Sequence, residues 1–402
     1  MCIRDRFSLR LQQLLRHEDL LVRMGGDEFV VLISEQFKDS RQAALQAQRL
    51  ATHLLDALGE PLQVMDNEIQ TSVSLGITVF PFQTADGLDD VIRQADTAMY
   101  HAKSKGRNQI RFFHEELERQ ARRRLKLESE LRTALDEQQF EIYYQPQVSS
   151  ASGLLVGAEA LLRWRHPEKG LLEPAEYIQI MEDTGLIVSA GRWLLEEIVR
   201  QVKAWSSAGY CHDQMRVAVN ISPSQLQIDG FGDWVEKLLE RYDLSPACLI
   251  FEITETLLLP DDSACVDVMQ HLERLGITFS VDDFGTGYSS LFVLQRSSIG
   301  QLKIAQQFVH DLKSATTLED RSRSNALALI RAIVSMAKAL GMGVVAEGIE
   351  TPLQRKMLEQ QGCDRMQGFL FSHPVKADEM SRLLDRQLTQ SQPHVPPPAD
   401  GR

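Results

Sequence analysis

The stretch GLLVGAEALLRW, residues 153–164, opens with an apolar run and sets Glu159 directly after GLLVGA. A run this short and this apolar reads as a buried strand rather than an independent helix. The arrangement recurs downstream: Asn220 follows RVAV, Glu252 follows CLIF, Asp282 and Asp283 follow ITFSV, and Glu347 follows GVVA. Strands of this kind, alternating with amphipathic helices, imply a parallel sheet covered on both faces. If that sheet closes into a barrel, the C-terminal strand ends converge on one rim, where hard oxygen donors can share a divalent cation. The pattern therefore points to magnesium or manganese phosphoryl chemistry.

Bulk composition narrows the alternatives. A chain of 402 residues, 43% hydrophobic and 25% charged, is long enough for two domains and ordinary for a globular protein. No apolar stretch reaches the roughly 18 residues of a membrane span, and MCIRDRF lacks a signal-peptide core, so a cytoplasmic location is expected. Cys2, Cys211, Cys248, Cys265 and Cys363 are scattered and include no CxxC pair, which supports neither a disulfide framework nor a zinc knuckle. The net charge of −13 argues against binding a nucleic-acid polymer. Most of that imbalance lies beyond residue 112, with 30 Lys or Arg against 41 Asp or Glu.

Four segments emerge along the chain. Residues 1–112 read as an incomplete α/β unit with helices near 7–17, 40–58 and 88–104, a hairpin LLVRMGGDEFVVLI and a strand TSVSLGITVF. Residues 113–137 are charged, rich in helix formers and free of Gly and Pro, as expected of a connecting helix. Strands and helices alternate over 138–388, and the Pro-rich segment 389–402 is expected to be disordered.

GGDEF at 25–29 and EALLRW at 159–164 resemble the signatures of the bacterial domains that make and degrade cyclic di-guanylate (cyclic di-GMP). Their order resembles that of GGDEF–EAL hybrid proteins. The EAL resemblance also rests on YQPQV, PAEYIQIMEDTGLI, NISPSQL, FEITET, DDFGTGYSSL, LKI, VVAEGIE and MQGFLFS, in that order. It implies a TIM-like (βα)8 barrel preceded by a ferredoxin-like α/β GGDEF domain, and hydrolysis of cyclic di-GMP to linear pGpG. Carried over by position, Glu159, Asn220, Glu252 and Asp282 would hold a first Mg2+ or Mn2+ and Asp283 would help hold a second. Glu347 resembles a further essential carboxylate, Lys303 the lysine near the attacking water, and Glu255 the glutamate that steadies the DDFGTGYSS loop. Gln145, Arg163 and Gln367 resemble ligand contacts. The same loop implies a homodimer formed through the EAL domain.

Physical chemistry requires these residue types. Hydrolysis of an anionic diester needs charge neutralisation and an ionised water together, which paired metals provide. Magnesium and manganese prefer oxygen donors, consistent with a set of Glu, Asp and Asn.

Two departures from the family pattern carry expectations of their own. LKI continues as AQQFV, so Ala305 stands where the family usually has Asp. An alanine can neither coordinate nor hold a water, which implies slow turnover or, alternatively, a receptor that binds without cleaving. In the first segment Gly25, Gly26, Asp27 and Glu28 resemble the turn that approaches GTP, and Lys103 a phosphate-contacting lysine. The earlier strands of such a domain are missing from the sequence, so cyclase activity is not expected, and exposed apolar surface is. Arg16 and Asp19 form an RxxD five residues before GGDEF that resembles an inhibitory product site.

Overall fold

The computed structural model describes residues 3–34, 37–64, 67–80, 87–210, 215–255, 263–285, 299–313 and 319–391. Contacts divide the chain into two units, Met1–Leu131 and Arg132–Arg402.

The first unit contains α1 (Ile3–Leu14), β1 (Leu20–Gly25), β2 (Glu28–Leu32), α2 (Ser40–Gly59), β3 (Leu62–Val64) and β4 (Asn67–Ile69). It continues through β5 (Leu75–Ile77), α3 (Leu88–Ser104) and β6 (Ile110–Phe112) into α4 (Glu115–Asp136), within which the division falls. The GGDEF sequence makes the expected hairpin: Val22 faces Val30, and Gly26 turns the chain at φ +53°. Asp39 caps α2 by accepting from the Gln42 N–H at 2.8 Å. Ala44, Ala47 and Ala51, spaced along one face of α2, pack with Ile110 and Phe112. The expected strand over 71–80 shortens to Leu75–Ile77, because its parallel partner β6 offers only three residues. The first helix ends at Leu14 rather than near 17. One face of the hairpin, Leu20, Val22, Val30 and Leu32, is exposed.

The second unit opens with β7 (Phe140–Ser149), β8 (Leu155–His166), β9 (Gly170–Leu172), α5 (Ile178–Asp183) and α6 (Leu186–Ser207). Next come β10 (Arg216–Asn220), α7 (Pro223–Leu226), α8 (Phe231–Tyr242), β11 (Leu249–Thr254), α9 (Ser263–Leu275) and β12 (Thr278–Phe284). The chain continues with β13 (Ile299–Ile304), α10 (Gln306–His310), α11 (Glu319–Ala339), β14 (Gly343–Ala346) and α12 (Pro352–Gln361). It closes with β15 (Arg365–Gln367), β16 (Val375–Lys376) and α13 (Ala377–Ser391).

Eight strands, β7, β8 and β10 to β15, close on themselves through the β7–β8 pairing. The expectation of a parallel sheet holds from β8 to β15 and fails at β7, which is antiparallel to both neighbours. The segment from Ser150 to Leu154 between β7 and β8 is too short for a crossover and permits only a hairpin. Along the parallel strands, Val217, Val219, Phe251, Phe279, Leu302 and Val344 are all at most 1% exposed. They alternate with inward-facing residues, among them Ser280, Gln301 and Lys303, as the two-residue period of a strand requires. The apolar layer therefore lies between barrel and helices, and the polar groups inside the barrel lead up to its rim.

A candidate active site at the barrel rim

Lys303 stands at the centre of the rim, on β13, only 1% exposed. Its Nζ lies 2.6 Å from Glu347 Oε1, 2.8 Å from Glu252 Oε2, 3.2 Å from Asp282 Oδ1 and 3.4 Å from Glu159 Oε2. Each of these carboxylates comes from a different strand, Glu159 from within β8 and the others from at or near the C-terminal ends of β11, β12 and β14, which is how a parallel barrel gathers residues distant in sequence. Asn220 donates from Nδ2 to Glu159 Oε1 at 2.9 Å. Gln367, at the end of β15, donates to Glu159 Oε2 at 2.7 Å and to Gln145 Oε1 at 2.9 Å.

Asp283 follows Asp282 directly, so a regular strand would point the two side chains to opposite faces. The backbone breaks that rule: Asp283 takes a left-handed φ of +51°, where the β12–β13 register shifts between Val281 and Phe284. Aspartate enters this region more readily than most residues, as Asp243 does at the end of α8. The Asp283 N–H donates to Asp282 Oδ1 at 2.9 Å. Glu255, just beyond β11, accepts from the Gly285 N–H at 3.0 Å, tying it to the start of the loop after β12. The rest of that loop, including TGYSSL, lies outside the described residues.

Four carboxylates against one ammonium leave the cluster with excess negative charge. Burial pushes Glu252 well above the usual carboxylate range, and the neighbouring acids add to it. Burial likewise raises Glu347, to about 8, with Lys303 opposing the shift. Burial would also raise Glu159, but Lys303 and hydrogen bonds from Gln367, Asn220 and Glu252 bring it below its ordinary value. Burial raises Asp283, assisted by Asp282. Burial opposes the charge on Lys303, yet the surrounding carboxylates hold its pKa well above the usual lysine range. Glu252 Oε1 is buried without a hydrogen-bond donor. Such an oxygen must take either a proton or a cation, and the surrounding donors are the hard oxygens that Mg2+ and Mn2+ prefer. The residues present therefore fit a divalent ion.

A cleft of about 280 Å3 adjoins the cluster, lined by Gln145, Glu159, Arg163, Glu347, Gln367 and Phe369 among others. Arg163 is 8% exposed and its Nη2 lies 3.4 Å from Glu173 Oε1. Ala305, 1% exposed, follows β13 and presents no polar side-chain atom to the site.

Two contributors escaped the sequence reading. Gln147 is fully buried and donates to Gln367 Oε1 at 2.8 Å. Its position two residues after Gln145 in YQPQV, hence on the same face, was the available signal. Phe369 is 52% exposed on the cleft and stacks with His373, with ring centroids 4.1 Å apart and planes at 30°. No spacing rule marks an exposed aromatic of this kind.

The remaining candidates sit in the first unit. The Arg16 N–H donates to Asp19 Oδ2 at 3.0 Å, and the Asp19 N–H to Arg16 O at 3.1 Å, so RxxD forms a local turn. Gly25, Gly26, Asp27 and Glu28 form the hairpin turn, and Lys103 Nζ lies 4.0 Å from Glu28 Oε1.

A closed eight-stranded barrel with an acidic, amide-lined rim defines a TIM-like protein equipped to hold divalent metal. The EAL domain profile matches residues 128–374, and the chain belongs to that family. The profile described as diguanylate cyclase, GGDEF domain, matches residues 5–109 ahead of it. The chain is 38% identical over 373 residues to the bifunctional diguanylate cyclase/cyclic di-GMP phosphodiesterase MucR of Pseudomonas aeruginosa, covering 92% of this chain and 52% of MucR. It is also 38% identical over 384 residues to the cyclic di-GMP phosphodiesterase PdeR of Escherichia coli, covering 96% and 55%. The chain thus spans about half the length of these curated relatives. Among solved structures, the PaMucR phosphodiesterase in complex with c-di-GMP matches with TM-score 0.59 and 39% identity, over 63% of this chain and 99% of that one. The EAL domain of Mycobacterium smegmatis DcpA matches with TM-score 0.50 and 30% identity, over 61% and 96%. No helix among the described residues is long and apolar enough to cross a membrane.

Proposed function

We propose that the barrel hydrolyses cyclic di-GMP to linear pGpG in a metal-dependent reaction in the cytoplasm. The observation that carries this reading is the ring of four carboxylates within 3.4 Å of Lys303 Nζ, backed by Asn220 and opening onto a cleft. The names of the relatives support the choice of substrate.

Glu159, Asn220, Glu252 and Asp282 would hold a first Mg2+ or Mn2+, with Asp283 contributing to a second. When bound, such ions lower the pKa of water and neutralise charge on the diester. In the step itself a water oxygen bonds to phosphorus and the bond from phosphorus to the 3′ oxygen breaks, leaving a 5′ phosphate and a 3′ hydroxyl. Lys303 orients the water and offsets charge that builds on the phosphoryl oxygens. Glu347, raised to about 8 by burial, would act as the base only once bound metal has displaced its proton; it would then take the water's proton and return one to the departing 3′ oxygen. Arg163 faces a substrate phosphate from the cleft wall, and Gln145 and Gln367 fix the ligand's orientation. Phe369 offers a stacking surface for a guanine. A homodimer through the segment after Gly285 belongs to the same reading.

A second reading rests on Ala305, whose methyl group leaves any second ion one donor short. In that case the barrel binds cyclic di-GMP as a receptor and turns it over weakly. The test assays the full chain with Mg2+ or Mn2+ for pGpG, beside Glu159→Ala and Ala305→Asp. Hydrolysis lost in Glu159→Ala supports the enzyme. Binding without turnover, converted to turnover by Ala305→Asp, selects the receptor. Absence of binding overturns both.

A further inference from the structure

Away from the strand ends that form the rim, α8 and α9 bring three ligand-bearing side chains together. Asp233 and Glu236 stand three residues apart on α8, which places them on one helical face. His271 reaches them from α9, its Nε2 lying 3.4 Å from Glu236 Oε2 and 3.9 Å from Asp233 Oδ1. Candidate donor atoms of all three lie within 4.8 Å of one another.

Two further observations distinguish this trio from a surface ion pair. First, although the His271 side chain is 32% exposed, its Nε2 atom is shut off from solvent and makes no hydrogen bond while both carboxylates face it. A polar atom buried in that way calls for a partner. Second, residue 232, in the first turn of α8, is a glycine that faces the imidazole. A Cβ there would lie 2.8 Å from His271 Cδ2, so the missing side chain is what lets the imidazole approach α8. The spacing suits a shared ion: donors about 2.0–2.2 Å from a tetrahedral centre stand about 3.4 Å apart.

We propose that Asp233, Glu236 and His271 form a second metal site, specific for a borderline divalent cation of the Zn2+ class, that clips α8 to α9. The imidazole sets the selectivity. Nitrogen ligation favours Zn2+, Co2+ or Ni2+ over Mg2+, whereas the rim offers carboxylate and amide oxygens. Asp233, whose side chain is 72% exposed, leaves room for water to complete the coordination. The ion would bridge helices that precede β11 and β12, the strands that carry Glu252 and Asp282.

The experiment titrates Zn2+ into the full chain in saturating Mg2+, so that the rim is occupied, and follows binding by calorimetry and metal content by mass spectrometry. The wild type is expected to take up one more Zn2+ than His271→Ala. Asp233→Asn, at an exposed position, is expected to weaken that Zn2+ by about tenfold or more, since losing even an outer partner of a ligand costs about 10- to 100-fold. Equal Zn2+ uptake by wild type and a folded His271→Ala overturns the proposal. Should His271→Ala fail to fold, Asp233→Asn decides alone, and an unchanged Zn2+ affinity there is equally fatal.

Discussion

Replacing Lys303 with Met tests the electrostatic account of the rim. The side chain keeps its length and apolar stem but loses the charge on which four carboxylates converge at 2.6–3.4 Å. Removing one partner of a buried ion pair costs about 3–5 kcal/mol, because the other charge is left uncompensated. With four acids around one cation, the upper end of that range is expected in the metal-free protein near pH 8. The penalty falls on acidification, since protonated carboxyls need no counterion. Glu347 sets the direction: with Lys303 in place its folded pKa of about 8 already exceeds its ordinary 4.5, and loss of the opposing ammonium raises it further, so its contribution to stability is complete below 4.5 and lost only as pH rises through 8 and beyond. Mg2+ should reverse the effect, because it supplies the missing charge. At about 100 times its Kd the ion restores about 2.7 kcal/mol. The variant should also bind Mg2+ more tightly than the wild type while cleaving more slowly, as no ammonium competes for the carboxylates and none orients the water. Trp164, Trp193, Trp205 and Trp234 all belong to the barrel unit, so intrinsic fluorescence in urea reports its unfolding alone. An equal loss of stability with and without Mg2+, at pH 6 and pH 8 alike, would refute the reasoning.

Three further outcomes follow from the same geometry. Mg2+ binding should release protons at pH 7 and fewer at pH 9, because Glu347 titrates near 8; calorimetry in buffers of different ionisation enthalpy measures this, and buffer-independent heats at pH 7 would contradict it. Gln147→Leu removes the donor to Gln367 Oε1, leaving a buried acceptor unsatisfied at a cost of about 1–3 kcal/mol. Its effect should appear as a raised KM for cyclic di-GMP with Mg2+ affinity unchanged. Phe369→Ala should weaken cyclic di-GMP binding by about 1–3 kcal/mol through lost stacking, with little change in thermal stability because the ring is 52% exposed.

The barrel strands and their carboxylates were legible because burial on both faces leaves a chemical signature: short Val, Ile and Leu runs interrupted by Glu, Asp or Asn, although the strand carrying Glu159 continues to His166. The reversed β7 was not legible from periodicity, since an antiparallel strand buried in a barrel carries the same apolar pattern as a parallel one. Its direction is set by the length of the link from Ser150 to Leu154. Lys303 could be placed on a strand, but its position at the centre of the cluster depends on register, which sequence does not encode locally. Gln147 and Phe369 were missed for opposite reasons. One is a buried amide whose role depends on a partner 220 residues away, and the other is an exposed ring whose only distinction is the cleft beside it. In the first unit, the strand 71–80 was overread because apolar alternation reports what could pair, not the length of the partner.

Strand register explains why these particular residues meet. Glu159 on β8 pairs with Ala218 on β10, so Asn220 stands two residues further along. Asn220 then pairs directly with Glu252 on β11, and Glu252 with Ser280 on β12, so Asp282 again stands two residues further. The proposed ligand positions thus climb by four residues over three strand steps. A barrel of eight strands with shear of about eight climbs about one residue per strand, so donors at one height must advance at close to that rate. Both advances are even, which keeps Glu159, Asn220, Glu252 and Asp282 on the same inward face; an odd slip would turn the rest of a strand's donors outward. Asp283 falls outside this parity: its left-handed φ marks where the strand leaves the regular pattern, and the residue is exposed. A one-residue deletion within β11 before Glu252 should therefore cost metal binding outright by placing that carboxylate among the outer helices. Retention of Mg2+ affinity in a folded deletion variant would show that register does not set the site.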